Sequence, residues 1–216
     1  TKMGVLKSRV EVVHRGINVK EIDNVTSGIS HTKGKILTAG KLITEKNFDM
    51  TILFFKKLID RGGDFYLDII GSGPELSNLK KLTKDLFLNE RVNFYSHMAQ
   101  QNLFVRMAKS QFYIMTSSKQ SERLPNAIKE AMYCRCICAS LRTQGLDELI
   151  NSKVNGYIFE EIGKDLEDFF MLSSELELNK IAENAKRTIS GQFQINQSMS
   201  QYIDKWESRL NDKDKI

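Results

Sequence analysis

No apolar run in the sequence approaches the length of a membrane span, and the opening stretch TKMGVLKSRV lacks the apolar core of a signal peptide. Both absences lead to the expectation of a soluble, cytoplasmic protein. Cysteine is scarce as well. The 3 cysteines, Cys134, Cys136 and Cys138, alternate in CRCIC, which suits one face of a strand and does not suit a metal site built on two-residue gaps. They read as buried, reduced thiols, and no metal is expected. An aromatic RNA-binding signature is missing, as are internal repeats and low-complexity tracts. Proline occurs only 2 times, so the places of Pro74 and Pro125 carry information.

What is present is enough apolar material for a full core: 41% of the 216 residues are hydrophobic, which suffices for one large domain or a domain with a helical appendage. A net charge of +5 permits nucleic acid, anionic lipid head groups or a phosphate-bearing small molecule as partner. The lysines are scattered, however. The KK pairs at 56 and 80 fall in amphipathic patterns, so a solvated basic surface is the expectation and nucleic acid is not an expected partner.

From Lys35 onward, short apolar runs alternate with amphipathic stretches, the signature of β-α units on a parallel sheet. Strands are predicted at KILTAG (35–40), FYLDIIG (65–71), RVNFY (91–95), FYIMTS (112–117), CICAS (136–140) and GYIF (156–159), with RVEVVH (9–14) as a preceding edge strand. Phe48, Ile52, Phe55 and Ile59 recur at spacings of three and four, predicting a helix packed by one face. PELSNLKKLTKDL follows the same rule, with Pro74 at a first helical position. The stretch DNVTSGISHTKG (23–34) reads as an exposed loop. After Phe159 three helical patterns follow, the last with Ile203, Trp206 and Leu210 on one face and Trp206 as its packing anchor. The predicted division is a linker and first strand over 1–34, a nucleotide-binding Rossmann-like domain over 35–190, and a C-terminal helix over 191–216.

In such a sheet the ligand site lies beyond the carboxyl ends of the strands. Three places qualify. In GKLITEK, Lys41 follows the first strand directly and Lys46 lies five residues on, two ammonium groups that could hold a diphosphate or stand solvated in a loop. In IIGSGPE, Gly71 and Gly73 bracket a tight strand-to-helix turn that permits close backbone approach. In SERLPNAIKE, Glu122 falls in a loop, Pro125 starts a helix, and Asn126 and Glu130 share one helical face. The unpaired N–H groups of that first turn attract phosphate, and a carboxylate one turn deeper can accept hydrogen bonds from two vicinal ribose hydroxyls. Glutamates eight apart recur at Glu167, Glu175 and Glu183 within plain helices. The pair at 122 and 130 is set apart by its position, astride a strand end, a loop and a proline-started helix.

Taken in order, VVHRGIN, AGKLITEK, IIGSGPE, RVNFYSH, SERLPNAIKEAM, QGLDELI and NGYIF resemble the donor-binding, C-terminal half of retaining glycosyltransferases of the GT-B fold, family 4, over about Val10 to Phe159. The resemblance implies an α/β fold with a Rossmann-like parallel sheet and helices on both faces. It implies transfer of a sugar from a UDP- or GDP-sugar to a polysaccharide or lipid-linked acceptor with retention, without cofactor or metal. Lys41 and Lys46 would hold the diphosphate, Gly71 and Gly73 the turn beside it, and backbone around His97 and Met98 the base. Glu130 would bind the ribose, with Leu124 and Asn126 beside it, while Glu122 and Lys46 would be catalytic.

The chain departs from the family pattern at several positions. Lys41 stands where arginine is usual, Arg123, Arg135 and Gln144 where glycine is usual, and Ile137 where proline is frequent. Arg123 could add a donor to the phosphates or crowd the sugar. The family's N-terminal acceptor domain has no counterpart in this sequence; residues 191–216 would cross back to it, and a peripheral membrane contact would suit the basic charge. A non-catalytic nucleotide-sugar sensor or partner, or a nucleotide-sugar epimerase, are the alternatives that share this fold.

Overall fold

Strands buried on both faces cannot alternate apolar with polar residues, and two of the predicted strands have this continuous character. The computed structural model of the chain describes residues 12–117 and 124–213. In it, β4 (Ser110–Met115) and β5 (Ile137–Leu141) are buried along their whole lengths. They occupy the interior of a six-stranded sheet with β1 (Thr32–Ala39), β2 (Tyr66–Ile70), β3 (Val92–Tyr95) and β6 (Tyr157–Phe159), in the order β3-β2-β1-β4-β5-β6. Every pairing is parallel. The chain winds outward through β2 and β3, then returns to place β4 on the other side of β1, with Leu37 opposite Tyr113. That reversal opens a crevice at the carboxyl ends of β1 and β4, where ligands bind in open α/β sheets.

Helices cover both faces, as the sequence predicts. Ile36, Leu67, Ile69, Phe112 and Ile114 point to a core closed by α2 (Phe48–Asp60), α3 (Leu76–Asp85), α6 (Lys164–Leu172) and the first turns of α7 (Glu175–Gln192). Leu37, Ile70, Tyr113 and Met115 point the other way, onto α1 (Val19–Thr26), α4 (Gln100–Ala108) and α5 (Asn126–Tyr133). The alternation follows from the period of two along a strand. Cys136 and Cys138 share the second face, and Cys134 caps α5 beside them. All three are free and buried; burial raises each thiol above its usual range, Cys134 to about 12, which keeps them protonated and unreactive.

The structure differs from the sequence-based expectation at five points. Residues 12–16 are not a strand; of the predicted edge strand, 9–11 lie outside the described residues. Residues 23–26, expected in a loop, are the last turn of α1, because Val19, Ile22 and Val25 supply an apolar stripe against α4 and the Asn18 side chain accepts from the Glu21 N–H at 3.4 Å. Thr32–Gly34, from the end of the same stretch, belongs to β1. Pro74 and Pro125 lie just ahead of their helices; Pro125 is the N-cap of α5, with φ −67° and ψ 129°. Trp206, on α8 (Ile195–Lys213), is 72% exposed with Tyr202 and Ile203 beside it, and so is not a buried anchor among the described residues.

The segment before α1 is fastened at several points. Ile17 N–H donates to Phe193 O at 2.8 Å and Ile195 N–H donates back to Ile17 O at 2.9 Å. A Cβ on Gly16 would lie 2.2 Å from the Gln194 carbonyl carbon, so only glycine lets the two backbones meet. Lys129, 1% exposed, donates from Nζ to Arg15 O at 2.6 Å.

The first core is held together by aromatic rings around Phe170, which stacks on Phe112 at 4.3 Å and meets Phe54 edge-on at 5.0 Å. Phe170→Ala should lower stability by about 3–5 kcal/mol, seen as a lower urea midpoint with an unchanged slope. A shift under a quarter of that size would show that the rings close over the vacancy.

Candidate functional site

Four strand ends and one helix start meet at the carboxyl edge. After Gly40, the β1 loop is joined to the β2 loop by backbone hydrogen bonds: Gly40 N–H to Ile70 O at 3.0 Å, Leu42 N–H to Ser72 O at 2.9 Å and Glu75 N–H to Leu42 O at 3.1 Å. Such a junction excludes side chains. A Cβ at Gly71 would lie 1.9 Å from Gly40 O, and one at Gly73 would lie 2.2 Å from Leu42 O. The close approach that these two glycines permit is therefore to the backbone of residues 40–42.

The far end of the same loop is joined to β4. Thr116, 1% exposed, donates through Oγ1 to Asn47 O at 2.8 Å, and Asn47 Nδ2 donates to Thr116 O at 3.0 Å. Asn47 sits in the left-handed region at φ 49°, which asparagine tolerates better than most residues. Lys46 precedes it, and the Lys46 carbonyl is 3.2 Å from Thr116 Oγ1. Lys41 is exposed between Gly40 and Leu42, the residues joined to the β2 loop. The predicted lysine loop therefore lies across the crevice where the strand order reverses.

On the α4 side, β3 ends at Tyr95, whose carbonyl accepts from Gly71 N–H at 2.9 Å. His97 is exposed in the loop that follows, while Met98 packs with Leu124 and Ala127 on the second core. α5 begins beside them at Asn126, with no acidic residue in its first turn and no side-chain cap, which leaves the positive end of the helix uncompensated by its own sequence. One turn deeper lies Glu130, 8% exposed, with Oε1 accepting a 2.8 Å hydrogen bond from Gln100 Nε2. Burial raises the Glu130 carboxyl above its usual range and Glu21 adds to the rise, while Gln100 and Lys129 oppose it.

Lys41, Lys46, Gly71, Gly73, His97, Met98, Leu124, Asn126 and Glu130 thus all fall on loops or the first two turns of a helix at one edge of the sheet. Glu122 and Arg123 lie outside the described residues. Gln100 was not among the predicted site residues; a neutral amide in QQNL carries no sequence signal beyond its place after β3. Of the departures from the family pattern, Arg135 adopts φ 66°, a conformation that favours glycine, and pairs with Glu183 at 2.9 Å. Gln144 is exposed next to Gly145, and Ile137 is buried in β5. Among the described residues no group of three or more His, Cys, Asp or Glu side chains could hold a metal ion. None of their helices is long and apolar enough to cross a membrane.

Residues 19–190 match the sequence model of the family described as Glycosyl transferases group 1. The chain belongs to that family. An uncharacterized glycosyltransferase of Haemophilus influenzae is 29% identical over 178 residues, 81% of this chain and 48% of that protein. The N-acetyl-alpha-D-glucosaminyl L-malate synthase of Bacillus anthracis is 27% identical over 179 residues, 81% of this chain and 45% of the synthase. The chain therefore spans about half the length of these curated relatives. Among solved structures, Anabaena HepE in complex with UDP superposes with a TM-score of 0.80 at 18% identity, over 96% of this chain and 60% of that one. This likeness shows the fold: the Rossmann-like C-terminal half of a GT-B glycosyltransferase.

The joined loops of this family member give a direct prediction. Gly73→Ala places a methyl group against the Leu42 backbone and should cost about 1–3 kcal/mol through overpacking. Because the strain falls where the β1 and β2 loops are joined, the denaturation midpoint should fall. An unchanged midpoint would mean that the loops separate freely at Gly73.

Proposed function

We propose that the chain is the donor-binding half of a glycosyltransferase that moves a sugar from a nucleoside diphosphate sugar to a polysaccharide or lipid-linked acceptor with retention. The observation that carries this assignment is the convergence at the β1–β4 crevice of the Lys41–Lys46 loop, the uncapped start of α5 and the buried carboxylate of Glu130. The HepE complexes with UDP and UDP-glucose, which share the fold, make a uridine diphosphate sugar the first donor to test. In this arrangement Lys41, Lys46 and the α5 amides meet the charge that grows on the departing diphosphate. Glu130 accepts from the ribose, Leu124 and Asn126 line its approach, the backbone near His97 and Met98 meets the base, and Gly71 and Gly73 hold the loop beneath. Glu122 would act at the sugar and Arg123 at the phosphates.

The chain spans about half of its curated relatives, and the assignment includes a separate acceptor-binding half. Under the proposed division, residues 35–190 form the donor domain, residues 1–34 lead into it and residues 191–216 cross to the acceptor half. The exposed face of Met199, Tyr202, Ile203 and Trp206 on α8 supports that crossing. This chain by itself is then expected to bind donor without transferring sugar. The protein would work in the cytoplasm, and its basic charge would suit the inner membrane face.

Two measurements test the assignment. Glu130→Ala removes a charged acceptor and should cost about 1.5–3 kcal/mol of UDP affinity by calorimetry; an unchanged affinity would refute the ribose role. UDP should bind far more tightly than uridine, and its affinity should fall as salt rises, since the phosphate contacts are exposed and screened. Equal binding of the two ligands, or indifference to salt, would remove Lys41, Lys46 and α5 from the phosphate site.

A further inference from the structure

Gln100 is the first residue of α4 and directly follows the loop that carries His97 and Met98. Its Nε2 donates to Glu130 Oε1 at 2.8 Å, so a single amide ties the loop after β3 to the carboxylate on α5. We propose that Gln100 is a positioning residue for Glu130: it fixes the carboxylate plane and leaves the second oxygen turned to the vicinal ribose hydroxyls of the donor. The inference rests on the assignment of Glu130 as ribose acceptor and adds the residue that makes it competent.

An ionised carboxylate offers about four acceptor positions and no donor. Gln100 occupies one of them, which orients the group and leaves capacity for two hydroxyls. A lysine or arginine at this place would hold the carboxylate more strongly, but as a competing cation with further donors directed at the same oxygens. The neutral amide also opposes the surroundings that favour the protonated acid. Burial and the Glu21 carboxylate on α1 raise the Glu130 carboxyl; Gln100 and then Lys129, its neighbour on α5, lower it. Lys129 directs its ammonium to Arg15 O and so makes no hydrogen bond to Glu130 in the structure. Among the described residues the remaining titratable neighbours, Tyr113 on β4 and Cys134 at the end of α5, are held protonated by burial and by the Glu130 charge.

The sign of the pH effect follows. Ribose binding needs the carboxylate form, so affinity falls as pH drops through the Glu130 pKa of the free protein. Removing Gln100 raises that pKa further, and the loss begins at a higher pH. Replacement by glutamate adds a like charge and should move it further still.

The test compares UDP binding to the 216-residue chain and its Gln100→Met, Gln100→Glu and Glu130→Ala variants across pH, alongside 2′,3′-dideoxyuridine diphosphate. Gln100→Met should weaken UDP binding roughly tenfold, as expected for a lost hydrogen bond to a charged group. It should also shift the acid limb upward, with Gln100→Glu shifted more. The dideoxy analogue should bind wild type and Gln100→Met alike. If Gln100→Met binds UDP as wild type does with the same acid limb while Glu130→Ala fails, the positioning role is overturned and the ribose assignment stands. If both ligands weaken equally and the acid limb stays in place, Gln100 only shapes the loop, and the proposal is again overturned. If Glu130→Ala binds UDP normally, the ribose assignment and this inference fall together.

Discussion

The hydroxyl of Thr116 is the smallest group on which the geometry of the crevice depends. It is buried, it lies within donating distance of Asn47 O at 2.8 Å, and it shares a 2.9 Å contact with Thr51 Oγ1 in which either hydroxyl can be the donor. With Asn47 Nδ2 returning a hydrogen bond to Thr116 O, the end of β4 and the start of α2 are closed as one unit with no polar group in that set left unmatched. β1 and β4 are neighbours only because the chain reverses its winding, and no short connection holds their ends together. Thr116 supplies that connection, and the β1 loop beyond it is joined in turn to the β2 loop through Leu42. The loop backbone is committed to internal hydrogen bonds on both sides, which leaves the Lys41 side chain exposed to meet a ligand.

Much of this was legible in the sequence because the sheet is covered on both faces. Continuous apolar runs such as QFYIM and CICAS can be strands only if they are buried on each side, and the alternation of Phe112 and Ile114 with Tyr113 and Met115 follows from that. What was not legible depended on partners remote in sequence. The polar letters of DNVTSG conceal the last turn of α1, whose stripe of Val19, Ile22 and Val25 is apolar only in relation to α4. RVEVVH alternates as a strand does, yet its described part forms none, and the segment that follows is engaged by Phe193, Ile195 and Lys129 instead. The Trp206 spacing predicted a buried anchor, and a spacing can show which residues share a face but not whether anything covers it.

The same distinction holds at the site. Lysines after a strand, glycines in a turn and a glutamate beyond a proline are positional signals, and the structure puts their described members on one edge. The reason for Gly71 and Gly73 is visible only once the 40–42 backbone stands where their Cβ atoms would be. Gln100 carried no signal at all, since its meaning comes entirely from a contact thirty residues away.

Two buried carboxylates on the same side of the sheet show why such a contact matters. Asp68, 0% exposed in β2, faces Lys35 Nζ at 3.0 Å and Arg106 at 3.4 Å, and accepts from Asn93 Nδ2 at 3.1 Å. Arg106 in turn lies 3.9 Å from the centroid of the Tyr95 ring. Both Asp68 oxygens are thereby engaged by groups of the fold, as a buried charge with a structural role must be. Glu130 is nearly as buried but has a neutral donor on one oxygen, and its neighbour on α5, Lys129, is turned to a backbone carbonyl. Its carboxyl is consequently raised by burial, where an ion pair would have lowered it. A carboxylate satisfied on all sides can only brace the sheet. One with a single neutral donor among the described residues keeps acceptor capacity, which under the proposed assignment the two adjacent hydroxyls of the donor ribose fill.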